Sequence, residues 1–256
     1  MTAQNVIPLT PRLKSLAARQ WHDYRRAEPG SSFADPELSV TLDEAYAIQM
    51  ETARLRCAAG DAIAGYKVGC IGAGVVEQFG MSGPIHARLF RSEIRNGGEK
   101  LRHTAFTNPA IEGEMALRIG DNGRIAGAFP VIELHQFVFR APRRTLAELV
   151  ANNGINAGVI VSSELKTTPL EKWENARSLS VAINGTTVDA GPLWAMQGGA
   201  TEAIDWLQSD LDRFGEILRP GDIVLAGTPL GLHPVRPGDH VAVSIDNREY
   251  LHCGFA

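Results

Sequence analysis

The stretch Asn108–Ile119, NPAIEGEMALRI, decides how the rest of the chain is read. Two carboxylates, Glu112 and Glu114, flank one glycine inside an apolar run. Alternate residues of a β-strand point to the same side of a sheet, so an extended backbone puts Glu112, Glu114, Ala116 and Arg118 on one face. Ile111, Met115, Leu117 and Ile119 fall on the other face, which reads as core. Two negative charges side by side call for compensation, and a divalent cation with oxygen ligands supplies it most simply. A solvated strand face with two surface acids is the plainer alternative, and this stretch alone leaves both open.

Outward from this strand, the pattern divides the chain. With 256 residues, 44% of them hydrophobic, it can bury a sizeable core. Pro11–Ala27 and Thr41–Ala59 carry apolar residues at helical spacing, with Thr41 and Glu44 matching a capping box and Gly60 as a stop. These helices make residues 1–60 an N-terminal segment. Residues 61–256 read as a mixed-sheet domain, because short strands and glycine-rich turns dominate them. The strand AIAGYKVGCIG starts near Ile63, and a short helix is expected over Ala73–Phe79. A turn at Asn96–Gly98, a strand through FPVIELHQFVF and a short helix over Thr145–Val150 follow. Asn184-Gly185 between alternating residues signals a hairpin. Gly198–Leu218 is the best amphipathic helix. Two Arg-Pro-Gly-Asp turns near the C-terminus read as repeated turn chemistry. The expected class is α+β, with a mixed, rolled or barrel-like sheet and a helical N-terminal segment.

Composition excludes several functions. A net charge of −4 without a Lys/Arg block argues against a nucleic-acid partner. Cys57, Cys70 and Cys253 are scattered with no CxxC, so neither a disulfide framework nor a zinc site is expected, and a reducing cytoplasm fits. The N-terminus lacks a signal-peptide core, and no apolar run is long enough to expect a membrane span.

Three further residues join the acid pair. Glu133 lies in an apolar strand-like context, and a short connection through GDNGRI would set its strand beside Glu112 and Glu114. Three convergent carboxylates would hold Mg²⁺ and leave positions for a chelating substrate; pairing of Glu133 with an arginine is the alternative. Lys67 stands in a glycine-lined apolar strand, where it would hold a substrate carboxylate or move a proton. His135 would share the face of Glu133, as a site residue or as a hydrogen-bonded core histidine. No GxSxG, P-loop or dinucleotide fingerprint is present.

The ordered series LDEAYAIQ (42–49), GYKVG (65–69), IEGEMAL (111–117), VIEL (131–134) and PGDIVLAGTPLGL (220–232), then PGDHV, resembles the fumarylacetoacetate hydrolase superfamily. Within it, the series is most similar to the branch of 2-keto-4-pentenoate hydratases and 4-oxalocrotonate decarboxylases. The resemblance implies Mg²⁺ or Mn²⁺ on Glu112, Glu114 and Glu133, with Lys67, Glu112 and Glu114 catalytic. It implies Lys67, Asn153 and Trp194 at the substrate, and the strand face shared with Glu133 adds His135 as a substrate contact. The implied reaction is hydration of a 2-hydroxy-dienoate through a metal-held enolate. A 4-oxalocrotonate-type decarboxylation or an acylpyruvate C–C hydrolysis, with His135 as base, are the enzymatic alternatives. A 2-oxo acid binding protein, or a subunit supporting a partner, is the non-enzymatic one. A homo-oligomer, and a complex with a pathway enzyme, are further implications. Two departures stand out: Asn152 where the family has an aspartate, and Trp194 where it has a hydroxyl.

Overall fold

The computed structural model describes residues 8–71, 84–136, 145–162 and 167–256. The expected helix over Ala73–Phe79, and the strand sequence beyond Gln136, lie outside them. Helix α1 (Pro11–Arg25) is capped by Thr10, whose hydroxyl accepts from the Leu13 amide at 3.3 Å. Helix α2 (Leu42–Ala58) carries both halves of the capping box. The Thr41 hydroxyl accepts from the Glu44 amide at 3.1 Å, and the Glu44 carboxylate accepts from the Thr41 amide at 3.0 Å. Both helices bury Leu13, Leu16, Ala17, Ala45 and Ile48 in one cluster with Leu149 and Val150 of a third helix, α3 (Leu146–Ala151), and with Ile85.

The pattern change at Ile63 is the start of β1 (Ile63–Gly69), which pairs antiparallel with β2 (Ile85–Phe90). Strands β3 (Ile94–Asn96) and β4 (Lys100–Leu101) flank the expected turn, but they belong to different sheets, so the turn is a crossover. Next come β5 (Pro109–Ile119), β6 (Ile125–Gln136), β7 (Asn156–Val161), β8 (Leu179–Ile183) and β9 (Thr186–Gly191). After helix α4 (Gly199–Asp212) the chain ends in β10 (Ile223–Leu225), β11 (His233–Pro234), β12 (His240–Ile245) and β13 (Arg248–Phe255).

Among the described residues, the first sheet runs β2-β1-β10-β5-β6-β7-β3, with β11 added to β5, and the second runs β4-β13-β12-β8-β9. The first is mixed, since β1–β10 and β3–β7 are parallel and its other pairs antiparallel. Its strands β2 and β7 also approach each other without pairing, which curls the sheet into a half-barrel. The α+β class and the rolled sheet are therefore as expected. Ile111, Met115, Leu117, Ile132 and Leu134 face Val181, Val243 and Leu251 of the second sheet and Leu207 and Leu211 of α4. The β8–β9 hairpin turns at Asn184 and Gly185, both with positive φ. Both Arg-Pro-Gly-Asp turns use the same bond: Asp222 accepts from the Arg219 amide at 2.8 Å, and Asp239 from the Arg236 amide at 2.7 Å.

Helix α4 stops before the expected Leu218. Gly215 at φ 70° takes the left-handed conformation that closes helices, and the Glu216 amide donates back to the Leu211 carbonyl at 3.1 Å. Phe214 then packs on Tyr46 and His86, with ring centroids 4.8 and 5.3 Å away. No helix among the described residues is long and apolar enough to cross a membrane.

Candidate metal centre

The register of β5 and β6 builds the centre. Glu112 stands directly opposite Glu133, Glu114 opposite Val131, and Ala110 opposite His135, so all four polar side chains share one face. Directly paired residues have β-carbons about 4.5–5.5 Å apart, which sets the two acids at a spacing that a shared ligand can span. Gly113, between the acids, points to the opposite face, where a β-carbon would meet Val181 Cγ2 at 2.3 Å. The glycine of the acid-glycine-acid motif is thus required by the second sheet.

Lys67 reaches the acids from β1, two strands from β5 across β10. Its Nζ donates to Glu133 Oε1 at 2.6 Å and to the Gly154 carbonyl at 3.4 Å. Gly69 and Gly154 lie against its stem, within 3.2 and 3.5 Å of Cε for an added β-carbon. Asn156 Nδ2 also donates to Glu133 Oε1, at 2.7 Å. Both oxygens of Glu133 are engaged, since Oε2 lies 3.4 Å from His135 Nε2. That imidazole nitrogen hydrogen-bonds Glu112 Oε2 at 2.9 Å. Glu114 accepts from the Gly227 amide. The Thr228 hydroxyl bonds the Gly113 carbonyl at 2.8 Å, tying the loop after β10 to the motif.

Lys67, Glu114, Glu133 and His135 are each at most 5% exposed, whereas the Glu112 side chain is 18% exposed and opens the cluster to solvent. Burial opposes charge on Glu133, but His135 and Lys67 outweigh it and hold the carboxyl far below the usual range. Burial, with Glu133 and Glu112 alongside, pushes Glu114 well above it. Burial also works against the Lys67 ammonium, yet Glu133 and Glu112 keep its pKa above the ordinary lysine value. Lys67 is accordingly protonated at neutral pH and carries a fixed positive charge. Three carboxyl groups share one ammonium and one imidazole, and Glu114 is the one whose charge is left unsupported. Donor atoms of Glu112, Glu133 and His135 all lie within 4.8 Å of one another. Trans ligands of a small dication are about 4.1 Å apart, so the donor set fits a divalent cation.

The structure brings together Lys67, Glu112, Glu114, Glu133 and His135. Asn153 sits next to the cluster, but its amide is bonded to the backbone of Arg88, accepting from the amide and donating to the carbonyl at 2.8 Å each. Asn152, in the aspartate position, accepts from Gln20 of α1 at 2.8 Å and donates to the Glu148 carbonyl. Trp194 is half-buried against the main core beside Gly199, at the start of α4. Asn156 and the Gly227 amide were not anticipated. The polar cluster before Val159 carried a signal for Asn156, an amide opening an apolar strand; a backbone donor leaves no such mark.

The family model for the fumarylacetoacetate (FAA) hydrolase C-terminal region matches residues 85–253. A 2-hydroxyhexa-2,4-dienoate hydratase of Comamonas testosteroni is 25% identical over 248 residues, covering 91% of this chain and 94% of the relative. A 2-keto-4-pentenoate hydratase of Paraburkholderia phymatum is 28% identical over 233 residues, covering 84% and 87%. The fold is shared with 4-oxalocrotonate decarboxylase from Pseudomonas putida G7, solved with magnesium and adipate. The TM-score is 0.87 at 20% identity, over 96% of this chain and 97% of that one. The matched region contains the paired acids of β5 and β6 and every strand of the curled sheet except β1, and on that ground the chain belongs to the fumarylacetoacetate hydrolase family.

Proposed function

We propose that this chain is a divalent-cation-dependent hydratase acting on small 2-hydroxy-dienoates, the enol forms of 2-oxo acids. The observation that carries the reading is the buried carboxylate cluster with Lys67 on its rim. The names of the two relatives matched by sequence above, both hydratases, support the reaction class. Glu112, Glu114 and Glu133 would hold Mg²⁺ or Mn²⁺. When bound, the cation supplies Lewis acidity and a chelating grip on the carboxylate and 2-oxo oxygens of the substrate.

Lys67 has two parts to play. Its Nζ fixes Glu133, which orients that ligand, and it is a charged donor at the cluster's edge. A 2-hydroxy-dienoate must give up its 2-hydroxyl proton and take one at C5 to become the isomeric 2-oxo-3-enoate. Water oxygen then bonds C4, and a second proton goes to C3. Lys67, protonated at neutral pH and held above the ordinary lysine value, suits the anchoring of the substrate carboxylate. The buried apolar residues around the cluster, Ala116, Val131 and Leu225 among them, limit bulk water there.

The test is turnover by purified protein with Mg²⁺ or Mn²⁺ on 2-hydroxy-dienoates, oxalocrotonates and acylpyruvates. Loss of dienol absorbance with water incorporated and no CO₂ released is expected. CO₂ release from oxalocrotonate would assign a decarboxylase instead, and no conversion of any member would end the enzymatic reading. Glu114→Gln should weaken Mn²⁺ binding in calorimetry; unchanged binding would remove Glu114 from the ligand set.

A further inference from the structure

We infer that His135 supplies a nitrogen ligand to the cation, so that the centre selects transition-metal dications such as Mn²⁺ or Co²⁺ over Mg²⁺. The inference rests on the cation-dependent reading above and deepens it. Four observations carry it. First, the His135 ring nitrogen belongs to the set of donor atoms that lie within 4.8 Å of one another, together with Glu112 and Glu133. Second, the two carboxylates are the only partners of that ring among the described residues. Nε2 lies 2.9 Å from Glu112 and 3.4 Å from Glu133, and Nδ1 has none. A histidine kept for packing is usually anchored by a carbonyl or a hydroxyl; this one is placed by the acids alone. Third, the β6–β7 register shifts between Leu134 and His135, and such an irregularity re-aims a side chain, often beside an active site. Fourth, Glu133 Oε1 is taken by Lys67 and Asn156, which leaves Oε2 as the oxygen that faces the imidazole. A cation between Glu112 Oε2 and Glu133 Oε2 therefore sits next to the nitrogen.

Ligand chemistry then decides the metal. Mg²⁺ is hard, takes oxygen, and dehydrates reluctantly. Imidazole suits the later first-row dications, whose affinity for a mixed nitrogen and oxygen site rises from Mn²⁺ through Co²⁺. An all-carboxylate centre has no such reason to discriminate by nitrogen affinity. Gln in place of His135 would offer an oxygen of similar reach and remove the nitrogen preference.

The experiment needs no variant at first. Mn²⁺ is added to the metal-free protein, prepared once with ordinary histidine and once with ¹⁵N-histidine, and electron spin echo modulation is recorded. A ¹⁴N coupling that is replaced in the ¹⁵N-histidine sample is the expected result. Calorimetry of Mg²⁺, Mn²⁺ and Co²⁺ on wild type and His135→Gln follows. Co²⁺ affinity should fall about 10–100-fold in the variant, the scale seen when even a supporting residue of a metal site is lost, with Mg²⁺ affinity little changed. Mn²⁺ that binds with no histidine nitrogen coupling would overturn the assignment of His135 and leave the hydratase reading standing. Failure of every dication to bind would overturn both.

Discussion

Replacing Gly113 with alanine tests how the acid pair is held. The new β-carbon would lie 2.3 Å from Val181 Cγ2 and 3.2 Å from Val243 Cγ2. Ordinary carbon contacts begin near 3.5 Å, so strand β5 or the second sheet must yield by roughly 1.2 Å. Val181 cannot simply turn aside, because a β-branched side chain has few χ1 alternatives and this one is fully buried. Overpacking of this kind costs about 1–3 kcal/mol. Val181→Ala alone, which removes two buried methyls, should also cost about 1–3 kcal/mol. In the double variant the alanine methyl fills the vacated space, so the loss should fall short of the sum by about 1–2 kcal/mol. Urea unfolding of the four proteins in EDTA measures this coupling. Because β5 carries Glu112 and Glu114 on either side of the substitution, Mn²⁺ affinity by calorimetry should drop in Gly113→Ala and recover in the double variant. A stable Gly113→Ala protein, or strictly additive losses, would refute the claim that the second sheet dictates this glycine.

Three further outcomes are expected. Lys67→Met leaves Glu133 buried without its ammonium and should destabilise the metal-free protein by about 3–5 kcal/mol. The loss should shrink when Mn²⁺ is added, and equal losses with and without metal by urea unfolding would contradict it. Burial holds the pKa of His86 below its ordinary value, although Asp210 accepts from it at 2.7 Å. The unfolded chain therefore takes up this proton at a higher pH than the folded one, and stability linked to His86 declines as pH falls below about 6.5. His86→Gln should lose less stability than wild type between pH 7.5 and 5 in calorimetry; parallel slopes would disprove it. Thr41→Ala removes one half of the α2 capping box and should cost about 1 kcal/mol in thermal unfolding, with turnover unchanged.

What could be read in the sequence was local. The capping box of α2 and the Asn184-Gly185 hairpin depend on neighbours a few residues away, and both stand as expected. The face shared by Glu112 and Glu114 follows from strand periodicity, and the short GDNGRI connection made β6 the natural partner of β5. Other features depend on distant contacts. The strands beside Asn96–Gly98 look like a hairpin, yet β3 is drawn to β7 and β4 to β13, a choice that no local pattern records. The apolar spacing of helix α4 runs on to Leu218, but the helix ends at Asp212 because Gly215 takes the left-handed conformation. At the centre, the ion pair of Lys67 and Glu133 spans 66 positions and arises from sheet order alone. Asn153, expected at the substrate, has its amide bonded to the Arg88 backbone, a long-range contact that its sequence neighbours do not record.

Strand β1 lies inside the first sheet, parallel to β10, with Gly65 opposite Ile223. The recognised family region begins only at residue 85. A fragment trimmed to that region would lose the lysine and open a gap between β2 and β10, so the working unit is larger than the part recognised by similarity. On the ribosome, β1 also emerges long before its parallel neighbour. The half-barrel can close only after nearly the whole chain has been made, and nascent chains stalled before Ile223 should be the species that chaperones and proteases meet.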